Sequence, residues 1–180
     1  MIIGLTGTIG AGKGTIVAHL KEKGFMHYSA SEFLARVAHG RALEATREVR
    51  RDIGNEYRAM GPTALLEAVL LDANPSKEDL VIESLHTLAE VEYVRHMGGR
   101  IIAVDAPLEA RYERIKKRAS DTDRVTFEAF AAEQERQMAS DNPDENNLAR
   151  AIEAADFRLR NDGSVEELEQ AVDAILKKLR

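Results

Sequence analysis

The amino-acid sequence predicts an α/β fold, a single domain of three layers (α/β/α) in which helices cover both faces of a parallel β-sheet. Two observations lead to this prediction. Short apolar runs typical of buried strands alternate along the chain with segments whose apolar residues recur at helical spacing. The first apolar run is followed directly by a glycine-rich stretch and then by a helical segment. At 180 residues, the chain fits one domain with a sizeable core.

The glycine-rich stretch covers residues 7–15 and follows the apolar run at residues 2–6. Its spacing fits the phosphate-binding pattern G-x-x-x-x-G-K at a strand-to-helix turn. The alternative, a glycine-rich turn that binds no ligand, would not require the strand, the loop, the lysine and the helix to occur in this order. Glycines let backbone N–H groups approach phosphate oxygens, the helix start adds its positive dipole end, and the lysine adds a charge. The expected phosphate-binding residues are Gly7, Ile9, Gly10, Ala11, Gly12, Lys13, Gly14 and Thr15.

The strict pattern requires serine or threonine directly after the lysine, as a hydroxyl ligand to magnesium. This chain has Gly14 there, and Thr15 follows one place later. A bound Mg²⁺ is therefore expected to rely on water and substrate oxygens, with Thr15 nearer the α-phosphate. Glu83 ends a predicted strand at residues 80–84, where an acid can hold the water shell of the metal.

The remaining elements follow from local signals. Further strands are expected at residues 25–29, 99–105 and 155–160. A helix is expected after the N-cap residue Ser29 or Ser31, and two more cover residues 46–60 and 63–71. Another helix follows Pro107, one covers residues 126–139, and the last begins with a capping box made by Ser164 and the residue three places later.

The form G-x-x-G-x-G-K-G-T resembles the loop of nucleoside monophosphate kinases such as adenylate kinase, and residues 2–10 look equally like the start of dephospho-coenzyme A kinases. The resemblance to this group of small P-loop kinases implies a P-loop NTPase fold with five parallel strands in the order 2-3-1-4-5. It also implies ATP and Mg²⁺ as cofactors, a helical substrate-binding subdomain at residues 30–75, and a short lid at residues 119–140.

The same resemblance suggests residues that contact the phosphoryl acceptor. Glu32 falls on the acid that opens the substrate-binding helices, while Arg36 lies one place beyond the usual arginine. Arg58, near the turn at residues 61–62, is the candidate for a second phosphate contact, and a solvated charge is its alternative reading. Residues 83–86 resemble the acid-glycine-x-arginine turn of monophosphate kinases, with His86 in place of the arginine. His86 is thus expected either to donate to a substrate phosphate or to lie on the surface.

The resemblance also assigns residues to the donor nucleotide. Arg114 and Arg118 recur on one face of the helix after Pro107, and Arg136 lies on the next predicted helix. Arg118 and Arg136 best match the lid arginines that cover the transferring phosphoryl group. Residues 155–164 are similar to the C-terminal segment of dephospho-coenzyme A kinases, whose loop passes beside the adenine, and this similarity assigns Asn161 and Gly163 to the nucleotide.

Composition limits the possible partners. A net charge of −6 does not support a broad nucleic-acid surface, so local basic sites are expected to serve small anions. The absence of cysteine suits a reducing cytoplasm. No signal peptide and no run of roughly 20 apolar residues is visible, so no membrane partner is expected. The chain is expected to be a monomer or a weak homodimer.

These signals together predict an ATP-dependent phosphotransferase with Lys13, Glu83, Arg118 and Arg136 as catalytic residues. The expected acceptor is a nucleoside or deoxynucleoside monophosphate, and dephospho-coenzyme A is the alternative. A non-enzymatic assembly factor with slow ATPase activity on the same fold is a second alternative. A regulatory GTPase is disfavoured because the sequence lacks an N-K-x-D guanine motif.

Overall fold

A computed structural model describes residues 1–73, 79–118, 125–138 and 147–180 of the chain. Its five strands form one parallel sheet in the order β2-β3-β1-β4-β5, which confirms the predicted fold class and strand order. The strands are β1 (Ile2–Gly7), β2 (Met26–Ser29), β3 (Leu80–Glu83), β4 (Arg100–Asp105) and β5 (Phe157–Arg160).

The register brings the carboxyl ends of the central strands to one edge of the sheet. Glu83 at the end of β3 is paired with Leu5 of β1 and with Ser29 of β2. Gly7 at the end of β1 is paired with Val104, one residue before the end of β4. Ligands of open parallel sheets bind at this edge, so the strand ends define where the functional site must be sought.

The helices are α1 (Lys13–Glu22), α2 (Ala30–Gly40), α3 (Arg47–Met60), α4 (Ala64–Ala73), α5 (Leu88–His96), α6 (Leu108–Arg118), α7 (Phe127–Met138), α8 (Leu148–Glu153) and α9 (Val165–Leu179). Ser29, not Ser31, is the N-cap of α2, and Ser164 forms the expected capping box with Glu167. Helices α5 and α8 were not predicted from the sequence. Residues 119–124, 139 and 140 of the predicted lid lie outside the described residues.

Side chains alternate between the two faces of the sheet and produce two core layers. Val81 faces α1 and α9, where it packs with Leu20 and Val172. The next residue, Ile82, faces the opposite side and packs with Val94 of α5. Helices therefore cover both faces, as the three-layer prediction required.

Helices α2, α3 and α4 form a separate apolar cluster beside the sheet. Phe33 and Leu34 of α2 pack there with Ile53 of α3 and with Leu65 and Val69 of α4. The amphipathic α3 buries its apolar side in this cluster and leaves charged side chains on its other faces. In the part of the chain that the structure describes, no helix is long and apolar enough to cross a membrane.

Candidate functional site

Steric constraints explain several glycines of the loop between β1 and α1, of which Gly7 and Gly12 show the closest contacts. Gly7 has φ of +137°, and a Cβ atom there would lie 2.0 Å from the carbonyl oxygen of Val104. Gly12 has φ of +111°, and its Cβ atom would lie 2.3 Å from Nδ2 of Asn161. Both glycines thus let the loop pack closely against β4 and the loop after β5, and an added Cβ atom at either position would disrupt this packing.

Lys13 folds its side chain back over this loop. Its Nζ atom donates to the carbonyl oxygens of Gly7 at 2.7 Å and Thr8 at 2.9 Å. Burial lowers the pKa of Lys13 to about 8, although the nearby carboxylate of Glu83 acts to raise it. Neutral carbonyl groups compensate an ammonium ion incompletely, so the lysine is arranged to gain an anionic partner above the loop.

Glu83 is the carboxylate that interacts most strongly with this lysine. Burial by itself would raise the pKa of Glu83, but a hydrogen bond from His27 and the charges of Lys13 and Arg118 lower it below its usual value. Nε2 of His27 lies 3.0 Å from Oε2 of Glu83, so this nitrogen donates to the carboxylate. Glu83 is therefore an oriented, ionised carboxylate at the end of the strand beside the loop.

The donor set of this region fits Mg²⁺, which usually keeps several waters and binds one or two carboxylates together with substrate phosphates. Glu83 is such a carboxylate, and Thr15 lies in the first turn of α1. Among the described residues, no group of three or more histidine, aspartate or glutamate side chains forms a metal site made by the protein alone. The fit is thus to a metal held mainly through water and substrate oxygens.

The loop after β5 supports the phosphate-binding loop from the other side. Nδ2 of Asn161 donates to the carbonyl oxygen of Ala11 at 2.7 Å, and Nη2 of Arg114 donates to the carbonyl oxygen of Asn161 at 2.9 Å. Nη1 of Arg114 is buried and has no hydrogen-bond partner among the residues that the structure describes. A buried donor without a partner is costly. Gly163 adjoins the capping box of α9, where its Cβ atom would collide with Glu167.

Arg111 stabilises the loop between β1 and α1, a role that was not predicted from the sequence. Its Nε atom donates to the carbonyl oxygen of Ala106 at 2.8 Å, and Nη1 reaches Oε1 of Gln134 at 2.5 Å and the carbonyl oxygen of Ile9 at 3.4 Å. The buried guanidinium therefore links α6 and α7 to the loop.

A single cleft of about 740 Å³ runs from the phosphate-binding loop to the helices beside the sheet. It unites most of the predicted catalytic and substrate residues, and the predicted residues that line it are Ile9, Gly10, Lys13, Glu32, Arg58, Glu83, His86 and Arg118. Ser84 also lines it, and its φ of +72° places a serine in the left-handed region where the related turn has glycine.

Two of the predicted catalytic and acceptor-binding residues do not line this cleft. The side chain of Arg36 is 59% exposed and forms an ion pair with Asp72 on α4. The side chain of Arg136 is 62% exposed, and its Nη2 lies 3.0 Å from Oε2 of Glu133 on the same helix. In this structure, both arginines therefore interact with neighbouring carboxylates on the protein surface.

Three arginines of the cleft wall were not predicted as site residues. Arg47, Arg50 and Arg51 lie in the first turns of α3 and face the cleft. Nη1 of Arg50 donates to Oγ of Ser31 at 3.0 Å, which links α3 to the start of α2. The available sequence signal was the charge density of residues 46–60, where arginines recur at helical spacing.

Sequence comparison finds similarity to proteins of archaea. It is 29% identical over 188 residues to UPF0200 protein MJ1399 of Methanocaldococcus jannaschii, covering 99% of this chain and 90% of that protein. It is 27% identical over 179 residues to a UPF0200 protein of Sulfurisphaera tokodaii, covering 99% and 97% of the two chains.

Structure comparison identifies neighbours with the same fold, among them two kinases. TT1252 from Thermus thermophilus aligns with a TM-score of 0.60 and 26% identity over 100% of this chain and 98% of its own. Shikimate kinase from Aquifex aeolicus aligns with a TM-score of 0.57 at 17% identity, covering 99% and 97% of the two chains. Dephospho-CoA kinase from Campylobacter jejuni aligns with a TM-score of 0.53 at 18% identity, covering 99% and 96%.

These neighbours share the fold of the chain, a P-loop NTPase domain that resembles kinases. A family model described as an AAA domain matches residues 3–139, which include the glycine-rich loop, nearly all of β1, the strands β2 to β4 and the helices α2 to α4. The match covers more than half of the sequence, and the chain therefore belongs to this AAA domain family.

Proposed function

We propose that this chain is an ATP-dependent phosphotransferase that moves the γ-phosphoryl group of ATP to a small nucleotide-like acceptor. One observation carries the proposal: the cleft that begins at Lys13 continues without interruption to the arginine-rich start of α3. A donor bound on the loop and an anionic acceptor bound against α3 would therefore share one cavity. Phosphoryl transfer requires this proximity more than it requires covalent help from the protein.

On the donor side, the backbone N–H groups of residues 7–13 and the charge of Lys13 hold the phosphates. Glu83 would hold a bound Mg²⁺ through water, and the ion would supply positive charge that offsets the charge of the donor phosphates. We assign Asn161 and Arg114, whose buried Nη1 has no hydrogen-bond partner among the described residues, to the side that would bind the base of the nucleotide. Arg118 lines the cleft near Lys13 and is proposed to neutralise charge that develops in the transition state, a role typically worth about 3 kcal/mol. Arg136 would join it only after α7 turns and releases Glu133.

On the acceptor side, the cleft wall has a strong positive character. Arg47 and Arg50 face it from α3 and His86 faces it from the turn after β3, while Glu32 supplies a carboxylate acceptor for a hydroxyl or amino group. A nucleoside or deoxynucleoside monophosphate matches this combination, because it carries a phosphate at one end and hydrogen-bond donors at the other. Arginine and histidine side chains would hold the acceptor phosphate, and Glu32 would orient the remainder.

Dephospho-coenzyme A is the second candidate acceptor. The observation in its favour is the fold neighbour from Campylobacter jejuni, which is a dephospho-CoA kinase. The several arginines on α3 also suit an acceptor that carries more than one phosphate group.

An ATP-consumption screen tests the proposal. The purified protein is incubated with ATP and Mg²⁺ together with each ribo- and deoxynucleoside monophosphate, dephospho-coenzyme A or shikimate. We expect one acceptor class to accelerate ATP consumption by at least about 10²-fold, and we expect Lys13→Met to abolish that increase. Slow ATP hydrolysis that no acceptor accelerates would contradict the kinase proposal and would support the assembly-factor alternative.

A further inference from the structure

A buried ion pair connects the helices beside the sheet to the turn that follows β3. Nε and Nη2 of Arg58, on α3, donate to Oε1 of Glu90 on α5 at 2.9 and 2.8 Å. The two side chains are only 4% and 3% exposed. A buried ion pair is stable only if its remaining polar atoms are also hydrogen-bonded. The partners of the other carboxylate oxygen of Glu90 therefore indicate the role of this pair.

That oxygen holds the turn itself. Oε2 of Glu90 accepts from the backbone N–H of His86 at 2.7 Å and from that of Thr87 at 3.2 Å. Oγ1 of Thr87 in turn accepts from the backbone N–H of Glu90 at 3.2 Å and completes a capping box. One carboxylate therefore accepts two hydrogen bonds from an arginine of α3 and two from the backbone of the turn.

The same turn includes residues that face the cleft. It begins at Glu83, continues through Ser84 with its left-handed backbone and reaches His86. A left-handed conformation at a non-glycine residue persists only where the surrounding structure fixes it. The contact between Arg58 and Glu90 is one of the interactions that fix this turn, and it does so from the acceptor side of the cleft.

We infer that Arg58 is a positioning residue that acts through Glu90 to hold the turn carrying Ser84 and His86 in its orientation toward the acceptor. This inference replaces the expectation that Arg58 binds an acceptor phosphate, because its guanidinium is already bound to Glu90. Its effect on the acceptor rests on the proposed function, whereas its effect on the turn does not.

Three variants separate positioning from general stability and from direct acceptor contact. Arg58→Met leaves the carboxylate of Glu90 buried without its cation, so we expect the melting temperature to fall by about 10 °C. Arg58→Met/Glu90→Leu removes both charges, and we expect it to regain only part of that loss, because the backbone N–H groups of His86 and Thr87 lose their acceptor. Glu90→Leu alone retains Arg58 but removes the group that holds the turn.

Two readouts are measured under conditions where every variant is folded. We expect amide hydrogen exchange at His86 to accelerate at least tenfold in all three variants. We expect KM for the acceptor found in the ATP-consumption screen to rise at least tenfold in all three, while the Kd for ADP stays within about twofold of wild type.

Each alternative predicts a different result. If Arg58 acts only through stability, folded Arg58→Met keeps the wild-type acceptor KM and the wild-type protection of the His86 amide. If Arg58 contacts the acceptor directly, Glu90→Leu leaves the acceptor KM unchanged or lowers it. Either result overturns the inference. If no acceptor is found, the proposed function fails and hydrogen exchange alone decides: unchanged protection of the His86 amide in Arg58→Met would overturn the positioning role.

Discussion

Titration of Lys13 should make nucleotide binding depend on pH. In the free protein, the Lys13 ammonium donates to two backbone carbonyls, and burial lowers its pKa to about 8. A bound phosphate replaces neutral partners with an anion and therefore raises this pKa. Below pH 8 the lysine is charged in both states, so affinity is constant. Above pH 8 the free lysine must first take up a proton, so affinity falls as pH rises.

The magnitude follows from the pKa of the free protein. With a pKa of about 8, about nine tenths of the lysine is protonated at pH 7 and about one tenth at pH 9. If the lysine of the complex stays protonated throughout, the Kd for ADP should rise about tenfold between these two pH values. This rise corresponds to about 1.4 kcal/mol of binding free energy.

Isothermal titration calorimetry with ADP, in the absence of divalent metal, measures both the Kd and the proton uptake. Titrations in two buffers of different ionisation enthalpy should give an uptake of about half a proton at pH 8 and about 0.9 at pH 9. Lys13→Arg is the matched control, because a guanidinium stays charged over this range and its affinity should not change with pH. A wild-type Kd that is constant from pH 7 to 9, without proton uptake, would refute this reasoning.

Three further predictions concern the loop, the cleft and the strained turn. Arg118→Ala should lower kcat by about 10² or more in steady-state assays. Arg136→Ala should lower kcat less, because that side chain lies outside the cleft. Equal losses of kcat in the two variants would contradict this placement. Gly12→Ala should abolish ADP binding in calorimetry, because its Cβ atom would lie 2.3 Å from Nδ2 of Asn161. The matched control Gly14→Ala, with no atom within 4 Å of the added Cβ, should bind normally. Ser84→Gly should stabilise the protein by about 0.5–1 kcal/mol in urea unfolding, because φ is +72°, and a loss of stability would contradict the strain.

Much of the fold can be predicted from the sequence because short local patterns mark where helices and turns begin. The capping box at Ser164 and Glu167 and the glycine-rich loop are both readable within a few residues, and both are confirmed. Helix α5 also begins with a readable signature, Thr87 and Glu90 in a T-x-x-E pattern. Helix α8 has only six residues, so it shows no reliable period, and its position depends on packing against the sheet.

The candidate site is predictable to the extent that it depends on strand ends. Lys13 and Glu83 line the same cleft because β1 and β3 are neighbouring parallel strands that end at the same edge of the sheet. The strand order implied by the resemblance to P-loop kinases was enough to predict this proximity. The partners of the arginine side chains could not be predicted in this way. Arg58 faces Glu90, 32 positions away, and Arg36 faces Asp72, 36 positions away. Such partners depend on tertiary packing, so they cannot be predicted from the spacing of residues along the sequence.

Direct observation of phosphoryl transfer tests the central claim most directly. Wild-type protein and Lys13→Met are incubated with Mg²⁺, γ-labelled ATP and the best acceptor of the consumption screen, and the products are separated by chromatography. The proposed function predicts that the label appears on the acceptor with the wild-type protein, and that a folded Lys13→Met variant gives none. Label released only as inorganic phosphate by the wild-type protein, with every nucleotide-like acceptor, would contradict it.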